Sequence, residues 1–349
     1  MKIALVSSVE PFVNGGYRNI VNWLVEPLQA AGHQVETIWL PFYDESNPLE
    51  QMWAYRLMDL ESSCDRIVCF RPPAHLIPHT KKIVWFIHHF RIFYDLWGTP
   101  YSPISDTPST RALRDAVMRM DEAALAEARL TFANSHVVAD RLKRFSGVEA
   151  KVLFPPVESP ECFHCQDYGE EIVSVCRFES HKRQHLLAEA MALTRTPVRL
   201  RLCGRSQNDS YFASVRSAAG SAADRVTIEA RWISEAEKVE RLAGALASVY
   251  APFDEDSYGY PTIEAAHASK ATITTTDSGG VSEFVIDGAN GMIVPPTAEA
   301  LAHAFDTLYA DRALARRLGE AARARVAELG INWPSVVAAL TAPLPGDAP

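Results

Sequence analysis

Residues 251–266 read A-P-F-D-E-D-S-Y-G-Y-P-T-I-E-A-A and combine a predicted turn with carboxylates on both sides of it. The stretch follows an apolar run and leads into a helix-like segment. Gly259 permits a tight turn close to a ligand, and Pro261 suits the first turn of a helix, whose free N–H groups bind anions such as a diphosphate. Asp256 and Glu264 flank this turn, and carboxylates accept hydrogen bonds from sugar or ribose hydroxyls. Alternatively, Asp256 caps the helix and Glu264 complements its dipole.

Short apolar runs alternate with helix-like segments on both sides of this stretch. In the N-terminal half the alternation predicts strands at 2–7, 34–40, 66–70, 82–87, 130–134 and 151–154. The C-terminal half repeats the pattern, with strands expected at 172–176, 199–203, 225–229, 247–250, 271–275 and 292–294. Such alternation is typical of a parallel sheet wound with helices. The sequence therefore predicts an α/β fold of two Rossmann-like domains with a ligand cleft between them.

The domain boundary is expected in a polar, irregular segment, residues 158–170. The N-terminal domain is then predicted over residues 1–158 and the C-terminal domain over residues 170–330. A length of 349 residues agrees with two domains that each bury a core. The tail, residues 341–349, is predicted to be disordered.

Composition and charge exclude several classes of protein. The net charge of −9 does not favour nucleic acid as a partner, which would call for a basic face. No apolar run reaches the ~18 residues needed to span a bilayer, and the N-terminus is too short for a signal peptide. The cysteine pair at 162–165 lacks the second pair that a zinc site needs. A cytoplasmic protein is expected, and local basic patches leave peripheral membrane contact open.

Glycine and polar residues follow two of the predicted N-terminal strands. Gly15 and Gly16 come after the first strand, where they would let the backbone approach a ligand, although the full G-x-G-x-x-G pattern is absent. His88 and His89 end a later strand, where open α/β sheets place their ligands. Buried core histidines are the alternative. The doublet is followed by Arg91 and by the aromatic residues Phe90, Phe93, Tyr94 and Trp97.

Two cations follow the first predicted strand of the C-terminal half. Arg177 and Lys182 are five residues apart in a loop that leads into a helix. A guanidinium that binds two oxygens and an ammonium that acts as a point charge suit a diphosphate. Their chemical use would be to stabilise the negative charge that develops on a departing phosphate oxygen. Taken alone, the two residues would fit an exposed basic loop better than a ligand site. In either case both side chains are expected to be exposed.

The order of these motifs resembles that of the retaining, nucleotide-sugar-dependent glycosyltransferases of family 4 (glycosyl transferases group 1), which have the GT-B fold. The likeness covers nearly the whole chain. It rests on the Arg-x4-Lys pair, on the 251–266 stretch, and on further segments at 132–142, 152–157, 279–283 and 290–296. Trp333 resembles the tryptophan from which the family's last helix, here residues 333–342, crosses back to the first domain.

The resemblance also implies roles for individual residues. Arg177 and Lys182 would bind the donor diphosphate, Glu264 the ribose hydroxyls and Asp256 the donor sugar. Aspartate stands where the family has the first glutamate of E-x7-E, and Tyr258 where it has phenylalanine. R-W-I at 231–233 replaces a frequent G-x-V. The predicted catalytic residues are Arg177, Lys182 and His88; the donor-binding residues are Gly15, Gly16, Asp256, Tyr258, Gly259 and Glu264; the acceptor-binding residues are His89, Arg91 and Tyr94.

The activity implied by the resemblance is transfer of a hexose from a UDP- or GDP-sugar to an acceptor hydroxyl, with retention. The acceptor would be a carbohydrate or a lipid-linked molecule, in polysaccharide or glycoconjugate biosynthesis. The resemblance implies no bound metal, and the sequence has no D-x-D-like carboxylate pair in a suitable loop. No cofactor is expected, because the nucleotide-sugar is itself a substrate. Two alternatives stay open: a nucleotide-sugar epimerase of the same fold, and a non-catalytic sugar-nucleotide-binding protein in which Asp256 marks a decayed site. Donor turnover separates the enzymes from the binding protein.

Overall fold

The computed structural model describes residues 1–12, 16–43, 47–99, 102, 104–206, 208–255 and 257–347. Its internal contacts divide the chain into two compact units. The first comprises residues 1–158 together with 332–349, and the second comprises residues 159–331. Each unit has its own hydrophobic core.

The first unit is built on six parallel strands, which are β1 (Lys2–Val9), β2 (Gln34–Pro41), β3 (Arg66–Cys69), β4 (Lys82–Phe86), β5 (Leu130–Ala133) and β6 (Lys151–Val152). They are ordered β2-β1-β3-β4-β5-β6, and Ile3 of β1 lies opposite Val35 on one side and Arg66 on the other. The inner strands β3 and β4 are buried along their whole length. A strand covered on both faces gives the near-continuous apolar runs from which the sequence predicted it.

Helices of the first unit connect these strands, namely α1 (Gly16–Ala30), α2 (Pro48–Arg56), α3 (Pro108–Ala126) and α4 (His136–Ser146). Helix α3 begins with a capping box formed by Thr107 and Thr110. Helix α2 is a helix that the sequence pattern did not predict. It buries Met52 and Tyr55 but exposes Trp53, so its apolar residues do not form a single stripe.

The second unit is built on six parallel strands, which are β7 (Glu171–Val175), β8 (Arg199–Cys203), β9 (Val226–Glu229), β10 (Ala247–Val249), β11 (Thr272–Thr275) and β12 (Gly291–Val294). Their spatial order is β12-β11-β10-β7-β8-β9. The chain therefore winds outward from β7 in one direction and then outward from β10 in the other. In open α/β sheets, ligands bind at the carboxyl ends of the strands where the winding reverses. Here that point lies between β7 and β10.

Seven helices are described in the second unit: α5 (Gln184–Leu193), α6 (Asp209–Ala218), α7 (Glu235–Ala243), α8 (Tyr260–His267), α9 (Val281–Phe284), α10 (Ala298–Ala310) and α11 (Arg312–Glu328). Helix α7 starts at a capping box of Ser234 and Glu237. The core beneath the helices includes Leu200, Ile273 and Phe305, which are fully buried. Within the described part of the chain, no helix combines the length and apolarity that crossing a membrane requires.

The last helix, α12 (Trp333–Thr341), packs with the first unit. Trp333 Nε1 donates a hydrogen bond to the carbonyl of Val157 at 2.8 Å. The following residues are ordered, which corrects the prediction of a disordered tail for residues 342–347. Leu344 is buried in the core of the first unit, and the Arg129 guanidinium donates to the carbonyl of Pro345. A single apolar anchor and a backbone acceptor hold a segment whose composition alone indicates disorder.

Candidate functional site

Two loops meet at the reversal point of the second sheet: the loop after β7 carries the predicted diphosphate-binding residues Arg177 and Lys182, and the loop after β10 carries Glu255. Lys182 follows β7, and its Nζ donates a hydrogen bond to the hydroxyl of Tyr250 at 2.8 Å and another to the carboxylate of Glu255. Burial alone would raise the pKa of Glu255, but the Lys182 ammonium and the Tyr250 hydroxyl outweigh burial and lower it. The result is a charged, partly buried pair at the carboxyl edge of the sheet.

Arg177 and Lys182 differ in exposure, whereas the sequence predicts that both face solvent. The side chain of Arg177 is 41% exposed, and its nearest acidic neighbour, Glu179, lies 3.5 Å away. The side chain of Lys182 is only 12% exposed, because Glu255 and Tyr250 enclose it. Arg177 is therefore open to a ligand as it stands. The Lys182 ammonium already donates to Tyr250 and Glu255, so the Glu255 carboxylate competes with any anion that Lys182 binds.

Arg183 fastens these two loops to each other, a role that the sequence pattern did not reveal. Its guanidinium donates to the carbonyls of Ala251 and Pro252 at 2.8 and 2.7 Å. Two further bonds of 2.8 Å reach the carboxylate of Asp277. Because planar bidentate pairs fix orientation as well as distance, the loops around Lys182 are held in one arrangement. An arginine adjacent to a predicted functional lysine is the one signal of this role in the sequence.

Gly259 occupies a position that no other residue fits without a shift of its neighbours. Its φ of +68° lies in the region that favours glycine. A Cβ at this position would come within 2.3 Å of Cε1 of Tyr250, the residue that contacts Lys182. Tyr258, one of the predicted donor-binding residues, is 1% exposed and packs edge-on against Phe284. Burial raises the pKa of Tyr258, and its ring belongs to the packing beneath the turn.

The glycine pair at 279–280 supports the same loop from the other side. A Cβ on Gly279 would lie 2.5 Å from the carbonyl oxygen of Glu255, and one on Gly280 would lie 2.7 Å from Cα of Ser257. The backbone N–H of Gly280 also donates to the carbonyl of Glu255 at 2.8 Å. The glycine pair thus allows its backbone to approach the loop that carries Glu255 closely.

Glu264, predicted to bind ribose hydroxyls, lies in the first turns of α8 with 5% of its side chain exposed. Its Oε1 accepts a hydrogen bond from Lys238 Nζ of α7 at 2.5 Å. Lys238 also contacts the exposed carboxylate of Glu235 at 2.7 Å. Burial raises the pKa of Glu264, and Lys238 opposes that rise. The sequence pattern does not single out Lys238, because a lysine in a helix usually faces solvent.

The predicted catalytic and donor-binding residues of the first unit lie in two separate segments of the chain. Gly16 begins α1, and His88 follows β4, with its Nδ1 2.7 Å from the carbonyl oxygen of His89. Gly15 lies outside the described residues, as does Asp256 of the second unit. Their predicted contacts with a donor sugar stay predictions.

Two of the predicted acceptor-binding residues are buried in the first unit. His89 is 2% exposed, and its ring lies 4.3 Å from that of Tyr94, measured between centroids. The hydroxyl of Tyr94 donates to the Asp121 carboxylate at 2.7 Å. Burial lowers the pKa of His89 to about 4. Neighbouring side chains of the same unit enclose the rings of His89 and Tyr94, and their contact with an acceptor stays a prediction.

Arg91 is the predicted acceptor-binding residue whose side chain reaches solvent, being 29% exposed. It forms an ion pair of 2.8 Å with Asp95. As for metals, the described residues contain no group of three or more His, Cys, Asp or Glu side chains placed to hold an ion.

A protein-family model matches most of the second unit. Residues 166–325 match the family model described as Glycosyl transferases group 1. This region contains Arg177, Lys182, Glu255 and Glu264, the residues of the site at the reversal point. No curated protein matches the chain significantly.

Solved structures resemble the whole chain. Sucrose-phosphate synthase from Thermosynechococcus elongatus superposes with a TM-score of 0.78 at 21% identity, over 97% of both chains. WaaG, a glycosyltransferase involved in lipopolysaccharide biosynthesis, gives a TM-score of 0.71 at 14% identity, over 97% of this chain and 100% of that one. HepE from Anabaena, in complex with UDP-glucose, gives a TM-score of 0.68 at 14% identity, over 97% of this chain and 98% of that one. These likenesses confirm the predicted GT-B fold.

Proposed function

We propose that this protein is a glycosyltransferase that moves a hexose from a UDP- or GDP-sugar to an acceptor hydroxyl, with retention of configuration. The observation that carries the proposal is the cation pair Arg177 and Lys182 at the reversal point of the second sheet. The side chain of Arg177 is 41% exposed there, and Glu179 lies 3.5 Å from it. The match of residues 166–325 to Glycosyl transferases group 1, and the UDP-glucose held by the similar HepE structure, support the same chemistry.

In this proposal the diphosphate binds to the loop between β7 and α5. Arg177 contributes two parallel hydrogen bonds to phosphate oxygens, and Lys182 contributes a point charge. Both cations stabilise the negative charge that develops on the phosphate oxygen as its bond to the sugar breaks. Gly259 allows the backbone before α8 to approach the donor closely.

The remaining parts of the donor and the acceptor are assigned by resemblance. Glu264 takes the ribose hydroxyls and Asp256 the sugar, while His88 and the glycines at 15–16 complete the donor-sugar contacts. The acceptor, a carbohydrate or lipid-linked molecule, binds the first unit, where Arg91 is the most exposed of the three predicted acceptor-binding residues. The reaction needs neither metal nor cofactor. A cytoplasmic location with peripheral membrane contact agrees with a lipid-linked acceptor, and co-sedimentation with lipid vesicles tests that contact.

Thermal denaturation with UDP, GDP and ADP tests the donor class first. A nucleotide that binds only the folded chain at a concentration 100 times its Kd stabilises it by ~2.7 kcal/mol, which raises the melting temperature measurably. The stabilising nucleotide then selects the sugar donors whose hydrolysis or transfer is measured. NMR of the product's anomeric proton distinguishes retention from inversion. Stabilisation without turnover would favour a non-catalytic binding protein, and stabilisation by none of the three would contradict the proposal.

A further inference from the structure

The buried carboxylate of Glu264 has a dedicated cation on a neighbouring helix. Lys238 of α7 is 8% exposed, and its Nζ lies 2.5 Å from Oε1 of Glu264 across a separation of 26 residues in sequence. The other contact of that Nζ, with Glu235, comes from the same helix. Among the described residues, no hydrogen bond to the second oxygen of Glu264, Oε2, is present. Lys238 thus fixes one oxygen of Glu264, whereas the other has no hydrogen-bond partner within the described part of the chain.

An ionised carboxylate and a neutral carboxyl differ in what they accept. A carboxylate accepts hydrogen bonds at both oxygens, and those bonds are strengthened by its charge. A neutral carboxyl loses that charge and turns one oxygen into a donor. Burial favours the neutral form, because the charged form is poorly solvated there. A nearby ammonium restores the charged form.

We propose that Lys238 is a positioning residue for ribose recognition: it holds Glu264 charged and in one rotamer, so that Oε2 accepts the hydroxyls of the donor's ribose. This inference rests on the proposed function, since it assumes that Glu264 meets a ribonucleotide. Lys238 itself touches no donor atom. Its effect is measured as a change in how much more tightly the protein binds a ribonucleotide than the same nucleotide without ribose hydroxyls.

The groups that face Glu264 are few. Lys238 and Glu235 approach it from α7, and the Tyr260 phenol lies on α8 itself. Helix α11, which packs on α8, brings Arg323, but its guanidinium contacts the carbonyl of His267 at the opposite end of α8. Lys238 is therefore the one described cation placed to keep Glu264 ionised.

Calorimetric titration of UDP and 2′,3′-dideoxy-UDP between pH 6 and pH 9 tests the role (GDP and its dideoxy form replace them if GDP is the nucleotide bound). The quantity compared is the ratio of the affinity for the ribonucleotide to the affinity for its dideoxy form. For the unmodified protein we expect this ratio to be about ten or more and not to vary with pH. In Lys238→Met the ratio should fall towards one at pH 7 and recover as pH rises, because Glu264 then ionises only at higher pH. In Glu264→Gln it should stay near one at every pH.

Three further variants separate positioning from simple stabilisation. Lys238→Arg retains the charge and should retain the ratio. Arg241→Met is the matched control, because it removes a different ion pair of α7, the 3.1 Å contact with Glu229, and should leave the ratio unchanged. If Lys238→Met does not fold, Lys238→Gln keeps a hydrogen-bond donor without its charge and should show a ratio that is reduced at least threefold and depends on pH.

A ratio that is the same as that of the unmodified protein at every pH, in whichever neutral variant folds, would overturn the inference. Failure of the proposed function gives a different result, since the unmodified protein would then bind neither UDP nor GDP. Binding and turnover that persist with an unaltered ratio would refute the role of Lys238 alone.

Discussion

Replacement of Glu255 by glutamine should tighten the binding of a nucleoside diphosphate, because Glu255 occupies the ammonium that the diphosphate needs. Lys182 contacts the Glu255 carboxylate, and the two side chains are 12% and 20% exposed. A hydrogen bond to a charged group contributes ~1.5–3 kcal/mol when well shielded. Partial exposure screens this pair, so about 1 kcal/mol is a suitable figure, which corresponds to about fivefold in affinity. We therefore expect the Kd of UDP or GDP for Glu255→Gln to fall about fivefold.

The same substitution should lower the stability of the ligand-free protein, because it leaves Lys182 partly buried without an opposite charge. The lowered pKa of Glu255 fixes the direction with pH. A carboxyl whose folded pKa is lowered stabilises the fold above its ordinary pKa, and that stability is lost as pH falls through the lowered pKa. The loss of stability in the variant should therefore be full near neutrality and should vanish in acid.

Isothermal titration calorimetry and thermal denaturation on the same samples measure both effects. Glu179→Gln is the matched control, since Glu179 lies 3.5 Å from the more exposed Arg177 and its loss should change the Kd less than about twofold. A weaker affinity in Glu255→Gln would refute the reasoning, because it would mean that Glu255 orients Lys182 for the phosphates and does not compete with them.

Three other predictions concern the same site. Arg177→Ala and Lys182→Ala should each lower transfer by about 10² or more, the scale for removal of one group that stabilises a developing anion, with circular dichroism unchanged; turnover near that of the unmodified protein in both would exclude a diphosphate clamp. Gly259→Ala should lower the melting temperature and weaken nucleotide binding, because its Cβ would meet the Tyr250 ring at 2.3 Å and its φ is +68°; an unchanged Kd would show that the turn adapts. Asp256→Glu should reduce transfer while nucleotide affinity stays constant, if the shorter carboxylate is matched to the donor sugar; increased transfer would indicate a decayed site instead.

The order of strands and helices could be predicted from the sequence, because it is encoded locally. A strand covered on both faces, such as β4, is a nearly continuous apolar run, and β8 begins and ends at the predicted residues. Helix α2 could not be predicted, since its apolar residues do not repeat with the period of a helix. The turn at Gly259 could also be predicted, because a positive φ and a ring close to Cα leave glycine as the residue that fits there.

The electrostatics of the site depended on the tertiary structure. Lys182 and Glu255 are 73 residues apart in sequence, and Lys238 and Glu264 are 26 apart. No local pattern records which carboxylate a lysine will meet once parallel strands bring distant loops to one edge of the sheet. The burial of His89 could not be predicted for the same reason, because it depends on the aromatic rings that pack around it in the first unit. Residue types thus indicate which chemistry is available, whereas exposure and charge state follow from long-range packing, since both depend on what surrounds a side chain in space.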